Sequence, residues 1–306
     1  MWNFLSLLVV YVEIYAILAL SLNLIAGYTG LLSLCHAAFY AIGAYVTAVG
    51  MTAGGWNFWF ALLMSGIMAS ILGFFVGLPT LRLKGDYLAI ATLGFGEVVK
   101  NVIINWDSLT RGPNGINGVP APVVFGIQFG FDTRFGYVLL YAVFVVLTYA
   151  VVWRVVHSRF GRALEAIRED EVVVGAMGIN AVKYKVVAFS LGAFFAGIAG
   201  SLWAIYNQSV APQTFDFMLS VMILCMVVLG GLGNSLGALM GTVVLVLLSE
   251  APRLTGLTSV VPAQFNQMFF GLLLIVVMIF RPQGVLGRKR ISYENEVARI
   301  LERRSM

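Results

Sequence analysis

From residue 1 to residue 81 the chain carries a single charged side chain, Glu13. An apolar run that long cannot cover a surface in water. It is several times the roughly 20 residues that cross a hydrocarbon core, so it must be divided into membrane spans. Turn-forming breaks at 27–30 and 50–57 divide it into spans near 3–25, 31–50 and 57–80. The opening, MWNFLSLLVV, has no Lys or Arg ahead of its apolar run. It is therefore expected to be the first span and not a cleaved signal. A fourth span runs from Tyr87 to about Asn105, a fifth over 135–152 and a sixth over 186–206. The uncharged stretch 217–249 breaks at Gly230-Gly231-Leu232-Gly233-Asn234 and counts as two, and the last span, 264–280, stops at Arg281-Pro282. The expected fold is an all-α polytopic transmembrane helical bundle of nine spans, within a range of eight to ten. Only 11% of the residues are charged and the mean hydropathy is +0.93, against about 25% charged in a soluble domain.

The basic residues orient the bundle. With the C-terminus in the cytoplasm, the cytoplasmic segments are 26–30, 82–86, 153–185, the break near 231–234, and 281–306. They hold fifteen of the 19 Lys and Arg: Arg82, Lys84, Arg154, Arg159, Arg162, Arg168, Lys183, Lys185, Arg281, Arg288, Lys289, Arg290, Arg299, Arg303 and Arg304. Lys100, Arg111, Arg134 and Arg253 remain. Lys and Arg are retained on the cytoplasmic side, so N-out, C-in is expected. Topology thus explains the net charge of +5, and nucleic-acid binding has no further support. The chain divides into a transmembrane domain, 1–280, containing a cytoplasmic loop at 154–185, and a basic cytoplasmic tail, 281–306.

Small residues recur four apart inside the spans, as in Ser33/Ala37/Ala41, Ala69/Gly73/Gly77, Ala193/Gly197, Ala196/Gly200 and Gly237/Gly241. Such spacing lets helix backbones approach closely in lipid. Gly27-Tyr-Thr-Gly30 before Ser33 echoes Gly230-Gly-Leu-Gly233 before Ser235, a weak sign of duplicated halves. The two cysteines, Cys35 and Cys225, sit in apolar runs and read as small buried hydrophobes.

The loop 154–185 reads RVVHSRFGRALEAIREDEVVVGAMGINAVKYK. Ala163, Ile167 and Val174 recur near helical spacing among Arg162, Glu165, Arg168 and Glu169, and Gly175 and Gly178 can end or bend such a helix. A surface helix docking on a cytoplasmic partner and a solvated connector both fit. Unstructured loops beyond about 12–15 residues are usually functional or disordered.

Several stretches, in order along nearly the whole chain, resemble branched-chain amino-acid ABC permeases. They are Asn23-Leu-Ile-Ala-Gly27-Tyr-Thr-Gly30-Leu-Leu-Ser33-Leu-Cys-His36 through Tyr45, and Leu81-Arg-Leu-Lys-Gly85 through Glu97. Gly112-Pro-Asn-Gly115-Ile116, GRALEAIREDEVVVGAMGIN over 161–180, Gly230-Gly-Leu-Gly233 and Arg281-Pro-Gln-Gly284 complete the set. Cys35 and Arg111 stand where glycine is usual in that family. The resemblance implies the pore-forming subunit of an ATP-driven importer in a bacterial or archaeal cytoplasmic membrane. It implies two ATP-binding cassette subunits below, a second, paralogous permease alongside, and an extracytoplasmic substrate-binding protein. The coupling loop it implies comprises Arg162, Glu165, Ala166, Arg168, Glu169, Asp170, Glu171, Gly175 and Gly178. Branched-chain amino acids are the expected cargo, with urea, amides and other small acids as alternatives.

The chain has no G-x-x-x-x-G-K-[ST] phosphate loop, so ATP hydrolysis is expected on separate subunits and this chain is not read as an enzyme. No metal and no cofactor is expected, since the only histidines are His36 and His157. Intramembrane polar groups are costly and often functional. Asn23, Ser33, His36 and Glu97 are candidates to line a pathway. For His36 the alternative is an internal hydrogen bond, and for Glu97 an ion pair with Lys100, three residues on. The same groups are thin material for the proton or ion relay of a secondary transporter, the alternative from a different class.

Overall fold

The computed structural model describes residues 2–254 apart from 81, 82, 84, 125, 126 and 129–133. The expected last span, 264–280, and the basic tail from Arg281 lie outside the described residues. The helices are α1 (Trp2–Leu22), α2 (His36–Thr52), α3 (Phe58–Thr80), α4 (Asp86–Asn105), α5 (Asp107–Thr110), α6 (Arg134–Val156), α7 (Arg159–Glu169), α8 (Glu171–Ala176), α9 (Ala181–Asn207), α10 (Phe217–Gly230) and α11 (Ser235–Leu254). Among them α1, α2, α3, α4, α6, α9, α10 and α11 fall on the first eight expected spans. Among the described residues, six segments are long and apolar enough to cross a membrane: Leu5–Gly27, Phe58–Thr80, Asp86–Asn105, Phe135–Val156, Ala181–Asn207 and Pro212–Gly230.

Helix α9 is the most buried of these and packs most extensively on α3, then on α2 and α1. Small residues make that possible. A Cβ on Gly197 would stand 2.6 Å from the Ser65 carbonyl and 2.6 Å from Ala69 Cβ on α3, while Gly43 of α2 presses on the other side. A Cβ on Gly73 would lie 2.6 Å from that of Ala193, and one on Gly200 would lie 2.7 Å from the amide of Ala44. Lipid tails offer helices no hydrophobic reason to associate, so this close dispersion contact holds the core. Gly230 and Gly237 bring α10 and α11 together in the same way. The outward faces of α3 and α6 are apolar, with Trp59, Phe60, Leu63, Phe74 and Phe75 on one and Leu139, Val143, Val146 and Leu147 on the other.

The second span differs from its expected bounds. Gly30, at φ +73, stops the chain that follows α1, and 31–35 runs on without helix before α2 begins at His36. Ser33 therefore lies outside the helix, and its small-residue pair with Ala37 does not form. Leu31 and Leu32 are as apolar as a helix would be, so composition could not separate the two. The difference is made by acceptors from elsewhere. The Leu34 amide donates to Thr92 Oγ1 on α4 at 3.1 Å, and the Ala37 amide to Ser220 Oγ on α10 at 3.0 Å. Cys35, the cap residue of α2, supplies no side-chain cap. Irregular backbone inside a bundle persists only when neighbouring elements satisfy it, and these two hydroxyls do so.

The elements alternate between two ends. At one end the turn at 231–234, the π-helical turn Asn23–Gly27 that continues α1, and α7 with α8 come together. At the other end β1 (Ile116–Asn117) pairs antiparallel with β4 (Ser209–Val210), in the register Ile116 to Val210. There β2 (Val123–Val124) and β3 (Ile127–Gln128) form a second two-stranded ribbon. The segment 113–119 thus folds against the chain leaving α9, with Gln213 Nε2 donating to the Pro113 carbonyl at 3.1 Å. Arg111 takes φ +59, a left-handed conformation that glycine enters freely.

Candidate functional site

The two echoing glycine breaks, 203 residues apart from Gly27 to Gly230, meet in space. Asn23 Oδ1 accepts the Gly233 amide at 2.9 Å, and the Tyr28 and Ser235 hydroxyls lie 3.4 Å apart. Glycine at 27 is required here. A Cβ there would lie 2.5 Å from the Gly233 nitrogen and would displace the Asn23 amide. Beside this seam His36 is fully buried, and its Nε2 shares a hydrogen bond of 2.7 Å with Ser21 Oγ on α1. Ser33 is also buried, with its hydroxyl 3.3 Å from Cys35 Sγ. Asn23, Ser33 and His36 are therefore interior groups in this conformation; Asn23 and His36 join separate elements, and Ser33 bonds within its own leg.

Glu97 lies apart from them, half-buried on α4. It lines a cavity of about 10 Å³, room for about one water, with Leu34, Ala37, Asp216 and Ser220. The expected ion pair does not form: among the described residues, Glu97 and Lys100 make no salt bridge with each other. Three residues on a helix are separated by about 60° around its axis, and Glu97 turns toward the gap between α2 and α10.

The loop beneath the seam is structured throughout. Ser158 caps α7 by accepting the Phe160 and Gly161 amides, and Gly161, Leu164 and Ile167 form its buried face. Of the two readings of this segment, surface helix and solvated connector, the structure shows helix, divided in two at Asp170. Its Oδ1 accepts the amides of Val172 at 2.8 Å and Val173 at 3.1 Å, capturing donors that a continuous helix would use. At the end of α8 the Gly178 amide donates to Gly175 O at 3.0 Å and the Ile179 amide to Val174 O at 3.3 Å, with Gly178 at φ +82. This is a Schellman stop, and Ile179 packs with Val174 and Ile167 as the motif favours.

The structure places the expected loop residues on different sides. Arg162, Ala166, Glu169 and Asp170 are exposed, Glu165 and Arg168 half-buried. Arg168 reaches inward and donates from Nη1 to the Gly27 carbonyl. Glu171 pairs with Lys185 at 2.8 Å, and Lys185 is almost wholly buried at the start of α9. A cleft of about 360 Å³ lies between the loop and the break, lined by Gly30, Leu88, Arg168, Glu171 and Lys185 among others. Sequence reasoning missed Ser21, Thr92 and Ser220. Their only signal was a hydroxyl inside an apolar helix, which usually bonds its own backbone. Among the described residues, no three of His, Cys, Asp and Glu converge to hold a metal ion.

An all-helical bundle with broken helices meeting inside it and a structured loop at one end is the architecture of a multi-pass membrane permease. The comparisons specify it further. The family described as "Branched-chain amino acid transport system / permease component" matches residues 4–278. The high-affinity branched-chain amino acid transport system permease protein LivM of Salmonella typhimurium is 39% identical, over 90% of this chain and 68% of its own length. A probable branched-chain amino acid transport permease protein LivM of Methanocaldococcus jannaschii is 27% identical, over 98% of each chain. The permease protein LivH of Escherichia coli K12 is 28% identical, over 91% of this chain and 92% of its own. No solved structure matches. This chain belongs to the branched-chain amino acid transport permease family, and it is a multi-pass membrane protein.

Proposed function

We propose that this chain is a pore-forming permease subunit of an ATP-driven, binding-protein-dependent importer of branched-chain amino acids. It sits in the cytoplasmic membrane with its N-terminus outside and the α7–α8 loop inside. The observation that carries the reading is the loop itself. It is helical, capped at both ends, and presents Val172, Val173 and Met177 at 72, 55 and 74% exposure. Three large apolar side chains on a short charged loop favour a protein partner over water. Arg162, Ala166, Glu169 and Asp170 are exposed on the same loop, and Glu165 is half-buried. The partners are two ATP-binding cassette subunits, which grip the loop, and a second permease of the same family. A substrate-binding protein docks at the opposite end, where the segment 113–119 and β4 form a folded platform. Glu97 faces the pathway. Asn23, Ser33 and His36 join it only when the seam opens, since each is wholly buried in this conformation.

The test is transport by the whole assembly. The complex copurified with this chain from its host membrane is reconstituted in proteoliposomes with its binding protein and radiolabelled leucine, isoleucine or valine. Uptake that needs both ATP and the binding protein is expected. Uptake driven by an ion gradient through this chain alone would replace this reading with a secondary transporter.

A further inference from the structure

We propose that Arg168 is the positioning residue that joins the coupling loop to both backbone breaks, so that movement of α7 opens or closes the seam. The proposal rests on the function stated above and names the device by which it works.

The group that Arg168 engages is the Gly27 carbonyl. It ends the π-helical turn Asn23–Gly27, and three residues later Gly30, at φ +73, turns the chain out of helix. A helix end leaves carbonyls without intrahelical partners, and inside an apolar bundle each must find a donor. Arg168 supplies it from a different element, 141 residues away in sequence. A guanidinium carries five donors in a planar fork, and a charged donor strengthens the bond.

Two glycines make room for this side chain, and a third lets the breaks approach each other. A Cβ on Gly30 would stand 3.0 Å from Arg168 Cγ, and a Cβ on Gly233 would stand 3.1 Å from Nη1. At Gly27 a Cβ would strike Gly233 itself. Both breaks thus close around one guanidinium, and the bond from Asn23 to Gly233 ties them to each other. The other end of the lever is firm. Leu164 and Ile167 are buried, so the backbone that carries Arg168 is packed into the bundle and moves with α7.

What the clasp holds defines what it transmits. Beyond Gly30 the leg 31–35 leads to the start of α2, which is fastened to α10 through Ser220. The turn at 231–234 is the tip of the α10–α11 hairpin. A tilt of α7 therefore pulls on α1, α2 and α10 together. The cleft of about 360 Å³ beside Arg168 leaves space for that movement.

The experiment uses the reconstituted complex and measures copurification, ATP hydrolysis and uptake per ATP. Arg168→Ala is expected to copurify and hydrolyse ATP while uptake per ATP falls tenfold or more. Arg168→Lys keeps a charge but loses the fork, and should fall several-fold, which decides the matter if the alanine variant does not fold. Arg162→Ala, on the exposed face of the same helix, should weaken copurification and spare uptake per ATP in the complexes that form. Wild-type uptake per ATP in both Arg168 variants would overturn the clasp. So would loss of ATPase binding by Arg168→Lys to the same degree as by Arg162→Ala, since that places Arg168 at the docking surface. Failure of the unmodified complex to show ATP-dependent uptake would count against the importer reading instead.

Discussion

Close packing through glycine is the feature on which the bundle depends, and it predicts how three similar substitutions differ. Gly197→Ala adds a methyl group 2.6 Å from the Ser65 carbonyl and 2.6 Å from Ala69 Cβ. Both neighbours are fixed in α3, and α2 blocks retreat on the far side at Gly43. Gly94→Ala, on the exposed face of α4, adds the same group where nothing lies within 4 Å. Each change gains about 1 kcal/mol of helix propensity. That gain is common to both, so the difference isolates overpacking, about 1–3 kcal/mol. This corresponds to a roughly 5- to 150-fold shift of the unfolding equilibrium. Gly66→Ala should fall between, because the added group meets only the Phe194 ring, at 2.7 Å, and a side chain can yield where backbone cannot. The assay is unfolding of the purified chain in mixed micelles of increasing SDS fraction, followed by tryptophan fluorescence. Gly94→Ala at or above wild type, then Gly66→Ala, then Gly197→Ala, is the expected order. Equal effects for Gly94→Ala and Gly197→Ala would refute the packing argument.

The hydroxyls that satisfy the irregular leg make a second prediction. Ser220→Ala and Thr92→Val each strand a backbone amide, costing about 1–3 kcal/mol where a buried donor is left unpaired; hydrogen exchange at Leu34 and Ala37 should accelerate in the matching variant, and unchanged exchange would contradict it. For the Glu171–Lys185 pair the order of harm matters. Glu171→Gln strands a buried ammonium, whereas Lys185→Met removes it and leaves a carboxylate that is 30% exposed. Thermal melting should therefore show the larger loss for Glu171→Gln, and the reverse order would count against a buried, dependent Lys185. Gly178→Ala should cost about 1–2 kcal/mol through its left-handed backbone, with no steric component. Limited proteolysis of the loop should be faster than in Gly178→Asn, which tolerates that conformation; equal rates would argue against the Schellman stop.

Most of the helical layout was legible because it rests on uncharged length and on glycine breaks, both local properties. The echo between 27–30 and 230–233 pointed to two elements that the structure brings into contact at Asn23 and Gly233. What stayed hidden depends on distant partners. The start of α2 at His36, instead of 31, follows from hydroxyls on α4 and α10 that no local pattern connects to Leu34 or Ala37. The division of the coupling loop at Asp170 was readable in principle, since aspartate before an apolar run is a helix cap, but Gly175 and Gly178 drew the stop signal. Arg168 looked like a coupling-loop residue turned to a partner, and Lys185 like a topology charge. Only the fold shows one reaching the Gly27 carbonyl and the other buried against Glu171.

The most direct measurement of the central claim is the side of the membrane on which the α7–α8 loop lies. Cys35 and Cys225 are both buried, so an added thiol reports cleanly. Met177→Cys on the loop and Ser108→Cys on exposed α5, at the opposite end, are treated with a membrane-impermeant maleimide in intact cells and in inverted vesicles. Cysteine at 177 should react only in inverted vesicles, and cysteine at 108 only in intact cells. Labelling of position 177 from outside intact cells would put the loop where no cytoplasmic motor reaches it, and the account would be wrong.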